Sequence, residues 1–299
     1  MPPLVCPRCR RPRDAAPGAR CEVEGTFLVT GEALARSDGD PLLGACLADR
    51  FGLLGARAFG GEATVFDAWD VLENSLCVVK AKRGGEEARF AHEAHILRAL
   101  PSGIGPRLRA TGASDIASPE SARAQYLATD VARGAVLSVL HPAPEALPSI
   151  ALAVASAFAR VHEAGFVHGD PKPEHLFVSD GSVTLVDFGC AAHPEHPALE
   201  PFCASPGYLA PEIDGTPPTP ASDVYALGCV LFRLASGRLP FVRPTLEALR
   251  SAHRSEPPPA LPEAVPAGFR DGVAAALAKD QAVRPADGAA LLALLTGSS

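Results

Sequence analysis

The sequence predicts an α+β fold, with strands gathered early in the chain and helices later. Three observations carry this. Strand-like Val65 and Phe66 close a run of small residues that opens at Leu53-Leu54-Gly55, which fits a hairpin. Cys77-Val78-Val79-Lys80 is an apolar strand ending in a lysine. Glu87 to Leu100 has a helical period, with Phe90, Ala94 and Leu97 on one apolar face, and Ile150 to Val161 is the longest apolar helical stretch. The 299 residues are 47% hydrophobic and 20% charged, enough to bury a core in one large domain or two small ones. The formal charge of −7 argues against non-specific nucleic-acid binding, which needs a basic face. No apolar run reaches the roughly 18–20 residues of a bilayer span. Met1 to Cys6 has no signal-peptide core. A soluble cytoplasmic protein with no membrane segment is the expectation. Without an export signal the eight cysteines are expected to be reduced, with Cys46, Cys77, Cys190, Cys203 and Cys229 as small apolar packers.

Residues 1–25 are basic and rich in Pro and Gly. Cys6-Pro7-Arg8-Cys9 is a C-x-x-C knuckle, and Cys21 follows after eleven residues. That spacing suits tetrahedral zinc, with Cys6, Cys9 and Cys21 as thiolate ligands in a structural site. The place of a fourth cysteine is taken by Glu24, and Cys46 is distant in sequence. The competing reading is a basic tail with three free thiols. Residues 26–50 read as a linker, because Thr30-Gly31 and Ser37-Asp38-Gly39-Asp40-Pro41 are turn chemistry.

From Leu53 onward, phosphate-handling residues follow in order. Gly60 and Gly61, ahead of Val65, fit a hairpin whose amides approach phosphate closely. Lys80 ends the next strand, and Glu93 on the following helix can pair with it. His168-Gly169-Asp170-Pro171-Lys172 and, further on, Leu185-Val186-Asp187-Phe188-Gly189 put two acidic residues on loops flanking a short hairpin. One can accept a hydroxyl proton and the other can hold Mg2+ on a nucleotide. Either fragment alone could arise by chance; both, in this order, are specific.

On these residues the chain resembles the eukaryotic-type protein kinase family, in the style of bacterial serine/threonine kinases. Further matches are Ala210-Pro211-Glu212, Ser222-Asp223-Val224 and the late Arg284-Pro285. The resemblance implies a two-lobed fold over residues 51–299, with a sheet-rich lobe at about 51–131 and a mainly helical lobe at about 132–299. It implies transfer of the ATP γ-phosphate to a protein hydroxyl, with ATP between the lobes. Asp170 would orient and deprotonate the hydroxyl, Lys172 would neutralise the γ-phosphate, and Ser205 would bond near both. Lys80 would hold the α/β-phosphates and pair with Glu93. Thr129 would be the gatekeeper, and the Asp130 carbonyl and Ala132 backbone would meet adenine. Asp187 would bind Mg2+. Glu212 with Arg284, and Asp223 beneath the catalytic loop, would be scaffold.

Three departures stand out. Ala58 and Ala63 replace two glycines of the phosphate loop, which weakens the expected grip on ATP. His175 occupies the place of a metal-binding Asn, and imidazole suits Mn2+ or Zn2+ better than Mg2+. Gly169 replaces the Arg that usually precedes the catalytic Asp and receives an activation-segment phosphate. Cys190 to Ala204 contains no Ser, Thr or Tyr, so no phosphorylation switch is expected there. Cys190, His193, His196 and Cys203 have metal-ligand chemistry, although a solvated loop is the plainer reading. Two other functions stand against an active protein kinase: a pseudokinase scaffold, favoured by His175 and the worn loop, and a small-molecule kinase, favoured by His168-Gly169-Asp170. Lys172 and the 204–212 segment favour a protein substrate. Regulatory input is expected through the first segment or a partner bound to it.

Overall fold

The computed structural model describes residues 3–37, 39–59, 63–84, 87–115, 123–200 and 205–297. The chain forms two compact units: Met1–Ala94 with Arg107–Val131, and His95–Pro106 with Ala132–Ser299.

The first unit opens with a two-stranded ribbon, β1 (Leu4–Val5) against β2 (Pro12–Arg13), followed by α1 (Gly31–Arg36). Its main element is an antiparallel sheet of six strands: β3 (Cys46–Leu47), β4 (Phe51–Phe59), β5 (Thr64–Asp70), β6 (Ser75–Arg83), β7 (Leu108–Asp115) and β8 (Arg123–Thr129). Their spatial order is β3-β4-β5-β6-β8-β7. Period-two burial explains the strands: in β6, Cys77, Val79 and Ala81 point into the core while Leu76, Val78, Lys80 and Lys82 do not. Phe51, Leu53, Phe66, Ala68 and Tyr126 complete that core. Asp70 is also fully buried, its charge met by Arg50 at 2.7 Å and Arg109 at 3.2 Å.

The stretch 26–50, read from sequence as a linker, is instead packed structure. Phe27, Leu28 and Val29 are buried, and Leu42 and Leu47 join the sheet core. Thr30 is not a turn residue but the N-cap of α1, its hydroxyl accepting from the Ala33 N–H at 3.1 Å. Ser37 then accepts from the Ala56 N–H of β4 at 2.8 Å. The Phe27 ring lies so close to Gly52 that an added Cβ would meet it at 2.4 Å. Turn-type residues here make caps and strand contacts, and the buried apolar residues anchor the segment.

α2 (Glu87–Ala99) begins in the first unit and ends in the second, and Phe90, Ala94 and Leu97 are its buried face, as the period predicts. The second unit carries a small sheet of β9 (Ala135–Val136), β10 (Leu176–Ser179) and β11 (Ser182–Leu185), in order β11-β10-β9. Around it lie α3 (Leu147–Glu163), α4 (Pro220–Ser236), α5 (Leu246–Ser255), α6 (Ala267–Ala276) and α7 (Gly288–Gly297). α4 begins with Pro at its first turn and a reciprocal Thr219–Ser222 capping box, and it ends at Gly237 with φ +74°. Its residues from Ala221 to Phe232 are all buried, so α4 is the unit's central helix. Among the described residues no helix is long and apolar enough to cross a membrane.

Candidate active site

In the first unit, β5 and β6 pair so that Val65 stands opposite Lys80. The Lys80 ammonium meets the Glu93 carboxylate of α2 at 2.9 Å, with both side chains mostly buried. Partial burial strengthens such a pair relative to one in free solvent. Thr129 is buried at the end of β8, opposite Val78. Asp130 follows, its N–H donating to the Arg107 carbonyl at 2.9 Å. Its carboxylate accepts from Arg109 at 2.6 Å and Arg107 at 3.0 Å. Burial pushes this carboxyl up, but the two guanidiniums outweigh it and hold it below its ordinary range. Arg107 and Arg109 thus fix the segment that leads into Ala132, a role the sequence reading missed. Gly60 and Gly61 lie outside the described residues; Ala58 at the end of β4 pairs with Val65.

In the second unit, Asp170 is the centre of a hydrogen-bonded cluster. Its Oδ1 accepts from the Ser205 N–H at 2.7 Å. Its Oδ2 accepts from Lys172 Nζ at 2.9 Å and from the Ser205 hydroxyl at 3.2 Å. Lys172 Nζ also donates to Ser205 Oγ at 3.0 Å. Burial raises the Asp170 carboxyl, but His175, Lys172 and the Ser205 amide outweigh it, so it titrates below the usual carboxylate range. The result is a buried, ionised carboxylate beside an ammonium. That pairing can align a hydroxyl and neutralise charge on a transferring phosphoryl group.

The loop under Asp170 is hung from α4. Asp223 Oδ2 accepts from the His168 N–H at 2.7 Å, and Oδ1 accepts from the Gly169 N–H at 2.9 Å. His162 adds a third bond to Asp223 at 3.1 Å. Its other nitrogen accepts from the Gly288 N–H at 2.9 Å, so Nε2 carries the proton and donates. No motif marks His162, an isolated histidine on a helix. Glu212 and Arg284 make a two-point pair at 2.7 and 3.1 Å, and Arg284 is fully buried.

Gly169 explains the missing arginine. Its φ is +82°, and a Cβ there would stand 2.2 Å from the Cys190 carbonyl oxygen. The backbone after Asp187-Phe188-Gly189 occupies the space a side chain would need. Gly169→Ala is therefore expected to cost well over about 1 kcal/mol of stability, through both the left-handed φ and the clash. Thermal unfolding checks this; an unchanged midpoint would contradict it. Cys190 itself is disulfide-bonded. This corrects the expectation of a reduced packing thiol and removes Cys190 as a metal ligand. His193 stacks on Phe166 at 4.4 Å and His196 on His95 at 5.5 Å, and neither joins a metal-ligand group among the described residues. Cys203 lies outside those residues.

Asp187 has φ +62°, a strained value for a non-glycine residue and one common at functional sites. Its Oδ2 lies 3.2 Å from His175 Nε2. An imidazole nitrogen and a carboxylate oxygen side by side form a donor set that fits a divalent cation.

A second metal-ligand group lies in the first unit. The sulfurs of Cys6, Cys9 and Cys21 are all within 4.8 Å of one another. Cys9 and Cys21 stand 3.9 Å apart, close to the roughly 3.8 Å edge of a tetrahedron with 2.3 Å zinc–sulfur bonds. The Cys9 N–H donates to Cys6 Sγ at 3.4 Å, and the Thr26 hydroxyl lies 3.4 Å from the same sulfur. Burial raises the Cys6 thiol, but these contacts outweigh it and bring it down to about 7. Glu24 is exposed and outside the group. Cys46 is engaged elsewhere, accepting from Arg20 at 3.3 Å.

Comparison with known proteins agrees with this geometry. The protein kinase domain family matches residues 114–286. The chain is 32% identical over 260 residues to a probable serine/threonine-protein kinase, PknB, of Lactococcus lactis, covering 80% of this chain and 40% of that protein. It is 30% identical over 272 residues to the serine/threonine-protein kinase PknL of Mycobacterium bovis, covering 84% and 66%. It is 31% identical over 268 residues to RqkA, named a DNA damage-responsive serine/threonine-protein kinase, of Deinococcus radiodurans, covering 83% and 39%. The chain thus spans between about two-fifths and two-thirds of these relatives' lengths. With a family match over more than half its length and the Asp170, Asp223 and Glu212–Arg284 constellations in place, the chain belongs to the protein kinase family, among bacterial serine/threonine kinases of the eukaryotic type.

Proposed function

We propose that this chain is a serine/threonine protein kinase that transfers the ATP γ-phosphate to a protein hydroxyl without an activation-segment phosphorylation switch. The observation that carries the reading is the Asp170–Lys172–Ser205 cluster, where one buried carboxylate is held ionised against an ammonium. Asp170 accepts the hydroxyl proton and aligns the oxygen for in-line attack; Lys172 offsets charge on the phosphoryl oxygens. Lys80, steered by Glu93, holds the nucleotide phosphates, with Val65 beside it on the sheet. Thr129, Asp130 and Ala132 form the adenine edge. Asp187 and His175 would hold the divalent metal that the family implies, and that metal would supply charge neutralisation for the transferring phosphoryl group. Lys172 at this position supports a serine or threonine acceptor. Gly169 supports the absence of a phosphate receiver, since no side chain fits there.

Labelled γ-phosphate incorporated into serine or threonine of a generic basic protein tests the reading. Folded protein that binds nucleotide without any transfer would favour the scaffold alternative. Stoichiometric, activating phosphate on Ser205 or Tyr208 would contradict the absence of a switch.

Cys6, Cys9 and Cys21 are proposed to hold one structural Zn2+, with the first segment as a docking point for a regulatory partner. Protein purified without chelator is expected to carry one zinc per chain, and Cys9→Ser with Cys21→Ser to carry none. Stripping the metal should lower the unfolding midpoint, because a bound ion stabilises only the folded site. Metal-free protein of full stability would contradict the zinc assignment.

A further inference from the structure

β4 slips register against β5 twice, between Leu53 and Gly55 and again between Ala56 and Ala58. Such bulges bend and twist a strand and re-aim the residues that follow. Here these include Ala58, which stands opposite Val65, and Val65 in turn stands opposite Lys80. The Ala56 N–H, between the two slips, donates to the buried Ser37 hydroxyl at 2.8 Å. One residue earlier, a Cβ added to Gly55 would meet the Ala33 Cβ at 2.7 Å. Ala33 belongs to α1 and Ser37 is its C-cap, so the helix sits directly against the bend of β4.

α1 has six residues, too few to be stable alone, so something else must hold it there. Its anchor is the cysteine cluster. Val5, next to Cys6, exchanges both backbone hydrogen bonds with Val29, at 2.7 and 3.0 Å, and Thr30 then caps α1. The Cys21 N–H donates to the Thr26 carbonyl at 2.7 Å, and the Thr26 hydroxyl lies 3.4 Å from Cys6 Sγ. Phe27, next in the chain, packs on Gly52 of β4. Both ties to β4, the Phe27 ring and α1 with Ser37, thus lead out of the cluster. The buried core there is Cys6, Cys21 and Leu28. A core that small needs a staple, and three thiolates around a metal supply one.

Resting on the zinc and phosphotransfer readings above, we propose that the Cys6–Cys9–Cys21 metal site is an allosteric site for the nucleotide, with Ser37 as the positioning residue that transmits it. Metal at the sulfurs holds Phe27 and α1 against β4, and Ser37 then fixes the bend that aims the Ala58–Val65 end of the sheet. Without the metal the cluster loosens, the Ala56 N–H turns to water, and nucleotide binding has to restore the bend. Metal and nucleotide therefore favour the same arrangement of β4, which is what couples two sites.

The test is calorimetric titration of ADP with Mg2+ into the full chain, zinc-loaded and zinc-stripped. Protein stripped of zinc and returned to Mg2+ is expected to bind ADP at least about fivefold more weakly, the low end of ordinary coupling. Restoring Zn2+ should restore the affinity. By reciprocity ADP should tighten zinc by the same factor, read by competition with a chromophoric chelator. Zinc-loaded Ser37→Ala is expected to keep one zinc per chain, to bind ADP more weakly and to lose the response to zinc, because effects carried through one residue do not add. Equal ADP affinity with and without zinc overturns the proposal, and so does a Ser37→Ala protein that still responds to zinc. The underlying readings fail differently. A chain that takes up no zinc loses the zinc reading and the proposal together. A chain that shows the coupling but transfers no labelled phosphate loses the kinase reading alone.

Discussion

Asp170→Asn is expected to lower phosphoryl transfer by about 10²–10⁴-fold, the range for loss of a positioned proton acceptor. ATP affinity should move far less, because the Asp170 side-chain bonds run to Lys172 and Ser205 rather than to Lys80, Glu93 or Thr129. The amide keeps the shape and can still accept from the Ser205 N–H. It has no charge to hold the Lys172 ammonium and no basicity toward a hydroxyl. The loss should therefore fall on kcat rather than on KM for ATP. The pH profile gives a second reading. The folded carboxyl titrates below its ordinary range, so it stays ionised throughout the neutral and mildly acidic region. Its stabilising contribution is present above the unfolded pKa and is lost as pH falls through the folded one. The acid limb of activity in the wild type should accordingly lie below the usual carboxylate range. A limb near pH 6 assigned to Asp170 would contradict this account.

Asp223→Ala is expected to be the most damaging change outside the reacting groups. It strands three buried donors at once: the His168 and Gly169 amides and His162 Nε2. Leaving buried donors unmet costs about 1–3 kcal/mol for each group. A total near 3 kcal/mol or more corresponds to roughly 5–10 °C in the unfolding midpoint for a domain of this size. Activity should fall too, because those amides hold the loop that carries Asp170. Asp223→Asn retains one acceptor oxygen and should recover part of both losses. Scanning calorimetry with a transfer assay checks the pair. An Asp223→Ala protein with an unaltered midpoint would show that the loop is held in some other way.

The clustered residues of the candidate site, Asp170 and Lys172 among them, were legible as a group because they sit in short motifs at fixed offsets. His168 to Lys172 is five residues, so their order alone brings the ionisable groups close together in sequence. Lys80 and Glu93 were legible because a strand lysine and a helix glutamate thirteen residues apart have few partners to choose from. The supporting contacts were not legible. His162 meets Asp223 across 61 residues of sequence, and Arg109 meets Asp130 across 21. Pairs like these depend on how elements pack, and no local pattern records that. The 26–50 segment was misread for a related reason. Thr30 and Ser37 have the same composition as turn residues, and only the helix and strand they serve show them to be a cap and a strand partner. Gly169 was legible as a departure, but its cause, the Cys190 carbonyl, was visible only in three dimensions.

The central claim is phosphotransfer to a protein hydroxyl. Its most direct test is label transfer from ATP by the full chain, with γ-labelled and α-labelled nucleotide run side by side in Mg2+ and in Mn2+. Label is expected on serine or threonine of an acceptor protein from the γ position alone, and it is lost in Asp170→Asn. Folded wild-type protein that transfers nothing with either metal, or as much label in the Asp170→Asn variant as in the wild type, would contradict it.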